Sequence, residues 1–259
     1  QPLITTGDGP VGIALGDVNG DGDLDIAYAI GEDTSVGVCL NNGDGTFTPN
    51  AVYGAGDAPV SVALGDLDGD DDLDIAVVNI ESDSASVLLN NGDGTFASQT
   101  QFVTGDSPQG VTIGDIDGDG DLDIATANGG KDGGAGANTV SLLINNGDGT
   151  FALNINFPAG DFPESVAMGD LDGNGSPDIA LVNKSSDDVS VHLNMCATAG
   201  PCNAADLDVP YGIFDLADIT VFVVGFYRQD LIADLAPPFG VLDLADVNLY
   251  VELFQAGCP

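Results

Sequence analysis

Ile13-Ala-Leu-Gly-Asp17-Val-Asn19-Gly-Asp21-Gly22-Asp23-Leu-Asp25-Ile-Ala27 is the stretch on which the fold turns. It recurs with substitutions from Val62 to Ala76, from Thr112 to Ala125 and from Ala167 to Ala180. The first Asp of each copy is Asp17, Asp66, Asp115 and Asp170, giving spacings of 49, 49 and 55. The six extra residues of the third copy fall in the Gly-rich stretch Gly129 to Ala137. Other landmarks keep step: a Gly-Asp turn precedes each copy (Asp8, Asp57, Asp106, Asp161) and an apolar segment ending in Asn follows it (Asn41, Asn90, Asn145, Asn194). Asn-Gly-Asp-Gly-Thr-Phe then closes three of the four units. A fixed period of this size is the signature of a repeat architecture.

Within a unit, Ser61-Val-Ala-Leu, Asp74-Ile-Ala-Val-Val and Ser86-Val-Leu-Leu are short, apolar or β-branched, and bounded by Gly, Asn and Asp turns. They read as strands with no room for helices between them. Asn-Gly-Asp-Gly supplies the positive-φ positions that tight hairpins need. Several strands per repeated unit predict a mainly β domain of propeller blades.

Composition narrows the function. The 259 residues carry 3 Lys+Arg against 42 Asp+Glu, a net charge of -39, so nothing could neutralise a nucleic-acid backbone. Only Glu32, Glu81, Glu164 and Glu252 are Glu; the remaining acids are Asp, which suits turns and metal loops. Hydrophobic residues make up 43% and mean hydropathy is +0.17, which predicts a folded chain rather than a disordered one. Apolar runs such as Ile219 to Phe226 are core-sized, so no membrane insertion is expected. Gln1 is not an initiator Met, and Cys39, Cys196, Cys202 and Cys258 contain no Cys-x-x-Cys pair. Both suit a secreted protein, extracellular or at the cell surface, with its signal peptide removed.

Loop one places oxygen donors at positions 1, 3, 5 and 9 (Asp17, Asn19, Asp21, Asp25), Gly22 at position 6, and at position 7 Asp23, whose carbonyl can join them. Hard oxygen ligands alternating around a sharp turn are what Ca²⁺ takes. Loop two offers Asp66, Asp68, Asp70, Asp72 and Asp74, with Asp71 at the left-handed position that Asp tolerates. Loop three offers Asp115, Asp117, Asp119, Asp121 and Asp123; loop four offers Asp170, Asp172, Asn174, Ser176 and Asp178. An EF-hand would carry Glu at position 12, where Tyr28, Val77, Thr126 and Leu181 stand. Each loop therefore joins two strands of one sheet.

These motifs, with Val-x-Leu-Asn-Asn-Gly-Asp-Gly-Thr-Phe, resemble the FG-GAP/VCBS repeat of calcium-binding β-propellers, over residues 1–195. The resemblance implies calcium at loop positions 1, 3, 5, 7 and 9, and extracellular adhesion, carbohydrate recognition or scaffolding. Such propellers often have seven blades and this chain has four units; closure within one chain and strand exchange between chains are both open.

Beyond a linker at 196–201 the pattern changes. Ala205-Asp206-Leu-Asp208 through Asp215 to Asp218 returns 28 residues later as Ala233-Asp234 through Asp243 to Asp246. Each copy continues with apolar residues at helical spacing, Ile219, Phe222, Val223 and Phe226, then Val247, Tyr250, Val251 and Phe254. Residues 202–259 resemble a dockerin of the type ending in Gly-Cys-Pro, a small α-helical domain that binds a cohesin-type partner. The resemblance implies calcium ligands at Asp206, Asp208, Asp215 and Asp218, and at Asp234, Asp243 and Asp246. Cys202 and Cys258 bracket this small domain, and a disulfide between them would help it fold. Cys196 with Cys202 is the rival pairing, and Cys39 with Cys196 requires the ring to close.

Catalysis is not expected. His192 aligns with Cys39, Leu88 and Leu143 inside a strand, and most carboxylates are committed to loops. The expectation is a calcium-binding structural or adhesive protein whose partner is another copy of itself or a cohesin-like domain. Its Gln1–Thr6 segment, in the phase of a strand that unit four lacks, would either close unit four of its own chain into a four-bladed ring or, inserted into a neighbour, link subunits head to tail into extracellular fibres. The other reading is a lectin-like module for surface glycans, although aromatic residues are only 6% and Trp is absent. Asn183-Lys-Ser185 is a lone glycosylation sequon.

Overall fold

The computed structural model describes residues 3–49, 51–131, 137–152 and 154–194. The linker 196–201, the dockerin-like segment 202–259 with its seven Asp ligands, and Cys196, Cys202 and Cys258 lie outside the described residues. The described chain is mainly β, contains no helix, and forms four antiparallel sheets in a β-propeller-like arrangement. None of it is a helix long and apolar enough to cross a membrane.

Sheet one runs β1 (Pro10–Gly16), β2 (Asp25–Ile30), β3 (Ser35–Cys39) and β4 (Ala51–Gly54) in spatial order. Sheet two repeats it with β5 (Pro59–Gly65), β6 (Asp74–Asn79), β7 (Ser84–Leu88) and β8 (Thr100–Val103). Sheet three has β9 (Pro108–Gly114), β10 (Asp123–Asn128), β11 (Thr139–Leu143) and β12 (Ile155–Pro158). Sheet four has three described strands, β13 (Pro163–Gly169), β14 (Asp178–Asn183) and β15 (Asp188–His192). Register is repeated as well: Gly16 pairs with Asp25, Gly65 with Asp74 and Gly114 with Asp123. Each Asp-rich loop is therefore the turn of its sheet's first hairpin, as the sequence predicts.

Two compact units are distinguished. The larger takes β1 to β12 with the chain up to Met168 and Ile179–Val191; the smaller takes Asp117–Asp119, Gly169–Asp178 and, of the described residues, His192–Asn194. In the larger unit, period-two patterning puts alternate side chains on opposite faces of each sheet. Ala27, Ala29, Val36 and Val38 of sheet one pack on Val62, Ile75, Val77 and Leu88 of sheet two. The opposite face of sheet two, Ala76, Val78, Ala85 and Val87, packs on Ile124 and Leu143 of sheet three. Aromatic edges tie the outer strand of one sheet to the turn of the next unit: Tyr53 of β4 meets Phe96 at 5.3 Å between centroids, and Phe102 of β8 meets Phe151 at 4.9 Å.

Gly12 shows how closely the first strands approach: a Cβ there would lie 2.5 Å from the Val60 carbonyl oxygen and 2.8 Å from Ser61 Cα. Buried polar groups at the strand ends are matched in turn. Asn79 Nδ2 donates to Ser86 Oγ at 2.9 Å, and Asn128 Nδ2 donates to Ser141 Oγ at 2.7 Å. Asn183 is buried and its Nδ2 donates to Asp188 Oδ1 and Ser190 Oγ, both at 2.8 Å, so the sequon's acceptor nitrogen is already bonded inside the sheet. Cys39 is a buried free thiol in β3.

Within the chain, the N-terminal segment does not pair with sheet four, whose described strands are β13, β14 and β15. Residues 3–9 form no strand, and Ile4 packs on Tyr28, Ile30 and Cys39 of the chain's own first sheet.

Candidate metal centre

The last Asp of every loop has a role that composition conceals. Asp25, Asp74, Asp123 and Asp178 are all 0% exposed. One oxygen of each accepts the backbone N–H of the loop's second residue: Val18 at 3.0 Å, Leu67 at 2.8 Å, Ile116 at 2.8 Å and Leu171 at 2.7 Å. The other accepts the N–H of the Asn two residues beyond the third strand: Asn41, Asn90 and Asn194 at 2.7 Å and Asn145 at 2.8 Å. A carboxylate so placed clamps the loop's entry to the adjacent strand, through charge-assisted bonds. Burial pushes the Asp74 carboxyl up to about 6 against these two amides, with the charges of Asp68 and Asp70 adding to the rise. Burial raises Asp25 likewise.

The loop carboxylates themselves wrap around the turn. In loop one, Asp17 accepts the Asp21 and Gly22 amides at 3.1 and 2.8 Å, while Asn19 Nδ2 donates to Asp21 at 2.9 Å. In loop two, Asp66 accepts from Gly69, Asp70 and Asp71 at 2.8, 3.2 and 3.0 Å. Asp71 takes φ 72°, matching Gly22 at 90°, so Asp holds the left-handed position as expected. In loop three, Asp115 accepts from Gly120 at 3.1 Å, and Asp117 accepts from Asp119 at 3.3 Å. In loop four, Asp170 accepts from Gly173 and Gly175 at 2.7 and 2.9 Å, and Asn174 Oδ1 accepts from Ser176 at 2.7 Å.

Trios of carboxylates converge, those of loops two and four among them. Asp66, Asp68 and Asp70 each offer an oxygen within 4.8 Å of the others, and so do Asp170, Asp172 and Asp178. At that separation two like charges repel by roughly 3 kcal/mol at an effective dielectric near 20. Asp68 carries the plainest mark of a cation site: its Oδ1 is buried and has no hydrogen-bond partner. Burial, followed by the neighbouring charges of Asp70 and Asp66, raises its pKa. The donor set is all oxygen, hard and anionic, and can hold a metal ion.

The loops also touch the next repeat, which sequence reading missed. Asn90 Nδ2 donates across to the Val18 carbonyl at 2.7 Å, and Asn145 Nδ2 to the Leu67 carbonyl at 2.8 Å. The Asn-Gly-Asp-Gly turn of one unit is thereby fixed to the Asp loop of the unit before it. The recurring Asn was visible in the sequence, but its acceptor lies 72 or 78 residues away. The same turn is locked by Asp44, Asp93 and Asp148, whose pKa values are lowered by bonds from the Thr46, Thr95 and Thr150 hydroxyls. His192 ends β15, in the strand position the alignment gives it.

A family profile described as an FG-GAP-like repeat matches residues 17–77, 72–126 and 133–181. No match is found among curated proteins. Among solved structures, the chain is similar to an Agrocybe aegerita lectin described for specific recognition of non-reducing terminal N-acetylglucosamine. The identity there is 27%, the coverage 70% of this chain and 48% of the lectin, and the TM-score 0.47. A proposed 6-phosphogluconolactonase from Bacteroides uniformis matches at 14% identity over 76% of this chain and 57% of that one, TM-score 0.53, a likeness of fold. Virginiamycin B lyase from Staphylococcus aureus matches at 14% over 74% and 58%, TM-score 0.43. The chain spans about half the length of each.

Proposed function

Because the chain belongs to the FG-GAP-like repeat family, we propose that it is a non-catalytic, calcium-stabilised structural or adhesive protein that works outside the cell. The observation that carries this is the Asp66–Asp68–Asp70 trio with its partnerless buried oxygen. Calcium would supply the positive charge that lets these carboxylates lie together while ionised, and would fix each hairpin loop in one conformation. Positions 1, 3, 5, 7 and 9 of the four loops are the ligands assigned to it. The dockerin-like segment adds a calcium-dependent contact for a cohesin-type partner, and self-association of the β domain gives the fibre.

Calcium binding coupled to folding sets the test. One site filled at a hundred times its dissociation constant adds about 2.7 kcal/mol. Thermal unfolding of the full chain in calcium and in excess EGTA should therefore differ by many degrees, and equilibrium dialysis should find several ions per chain. An unchanged melting temperature in EGTA would falsify the calcium reading. Retention on N-acetylglucosamine beads with no assembly in electron micrographs would replace the structural reading with the lectin one.

A further inference from the structure

The repeat allows the end sheets to be compared with the inner ones residue by residue. In sheet two, Val62 is 8% exposed and, with Leu64, packs on sheet one. Val111 and Ile113 of sheet three pack on sheet two in the same way. Their counterparts in β1, Ile13 and Leu15, are 64% and 60% exposed. The opposite end is bare on the opposite face. Val78 and Val87 are 0% and 2% exposed beneath sheet three, whereas their counterparts Val182 and Val191 are 52% and 50% exposed, with Val189 beside them.

The polar seam stops at the same places. Asn90 and Asn145 each reach a carbonyl of the preceding repeat, but Asn41 Nδ2 donates to Leu24 of its own. Gly94 and Gly149 sit against Leu40 and Leu89 of the preceding repeat, while a Cβ at the equivalent Gly45 meets nothing within 4 Å. Leu171, which stands where Val18 and Leu67 are buried, is exposed. Ile4 covers the Tyr28 and Cys39 side of sheet one and, with Val11 and Ile13, bounds an apolar pocket of about 290 Å³. It leaves Ile13 and Leu15 open.

We infer that the exposed β1 face and the exposed β14–β15 face are two halves of one head-to-tail interface between copies of this chain. The occupant is a second copy because the chain itself shows twice what covers each half. A face equivalent to Val182, Val189 and Val191 covers a face equivalent to Ile13 and Leu15 at each of two internal seams. Different patches meet, so the contact is heterologous and propagates as a filament unless it closes a ring. Contiguous apolar faces of this kind mark association sites. The inference rests on the structural reading above and names its contact surface, distinct from the dockerin-like end.

The experiment uses the full chain in saturating calcium, with sedimentation velocity over a concentration series. Ile13→Asp blocks one face and Val191→Asp the other; Leu15→Asp and Val189→Asp form a second pair should either of the first fail to fold. Wild type should form a ladder of oligomers. Each single variant should be monomeric, its association weakened about a hundredfold or more by an aspartate in an apolar seam. Mixed one to one, the two variants each keep one intact face and should form dimers that grow no further. A wild-type monomer at every concentration, as a ring or a face covered within the chain would give, overturns the inference. So does assembly of either variant like wild type, or a mixture that stays monomeric. Melting with and without EGTA on the same samples reads the calcium assignment separately, so the two can fail independently.

Discussion

Replacing Asp74 by Ala tests the clamp, and melting in EGTA, with calcium removed, reads it apart from the metal. The substitution strips the acceptors from two backbone amides, Leu67 at 2.8 Å and Asn90 at 2.7 Å, in residues that are themselves buried. An amide left unsatisfied in the interior costs about 1–3 kcal/mol, so the pair costs about 2–6. Part is recovered, since holding the buried carboxylate ionised at neutral pH is itself unfavourable: a pKa pushed to about 6 corresponds to roughly 1–2 kcal/mol after solvent screening. Taken at mid-range the net loss is about 2–3 kcal/mol, or roughly 4–12 °C in melting temperature for a domain of this size. Asp70→Ala is the comparison, because Asp70 is exposed and accepts one amide, that of Asp72 at 3.0 Å. Circular dichroism melts should show Asp74→Ala destabilised both in calcium and in EGTA, and Asp70→Ala destabilised in calcium alone. Equal melting of the two variants in EGTA would refute the clamp.

Two further outcomes follow from the same geometry. Asp74 has a folded pKa of about 6, above its ordinary value, so its stabilising contribution is present at acid pH and lost as pH rises through about 6; Asp25 and Asp68 are raised as well and act with the same sign. EGTA-treated protein should therefore melt higher at pH 5 than at pH 7, and the increment from calcium should grow over that interval; a calcium increment that shrinks toward pH 7 counts against the loop assignment. Gly12→Val should lower the melting temperature by several degrees, because its Cβ would press on the Val60 carbonyl and Ser61 backbone, which cannot move aside; Gly54→Ala, with nothing within 4 Å, is the control and should be neutral.

Short-range chemistry is what the sequence alone determined. The 49-residue period set the sheets, and Gly and Asp at position 6 set the left-handed turn. These are local steric and solvation preferences, and each is written in a few consecutive residues. What tertiary structure decided is everything that depends on a neighbour far along the chain. The sequence marks Asp74 and Asp70 alike as ligands, but folding buries one against the amides of Leu67 and Asn90 and leaves the other exposed. The N-terminal segment shares the phase of the outer strands, yet within the chain its Ile4 packs on Tyr28, Ile30 and Cys39 of sheet one. Most of all, near-identical repeats give Ile13 and Val62 the same local code, or Val78 and Val182. Which of each pair is buried depends on whether another sheet follows in space, a property of position in the array that no window of sequence contains.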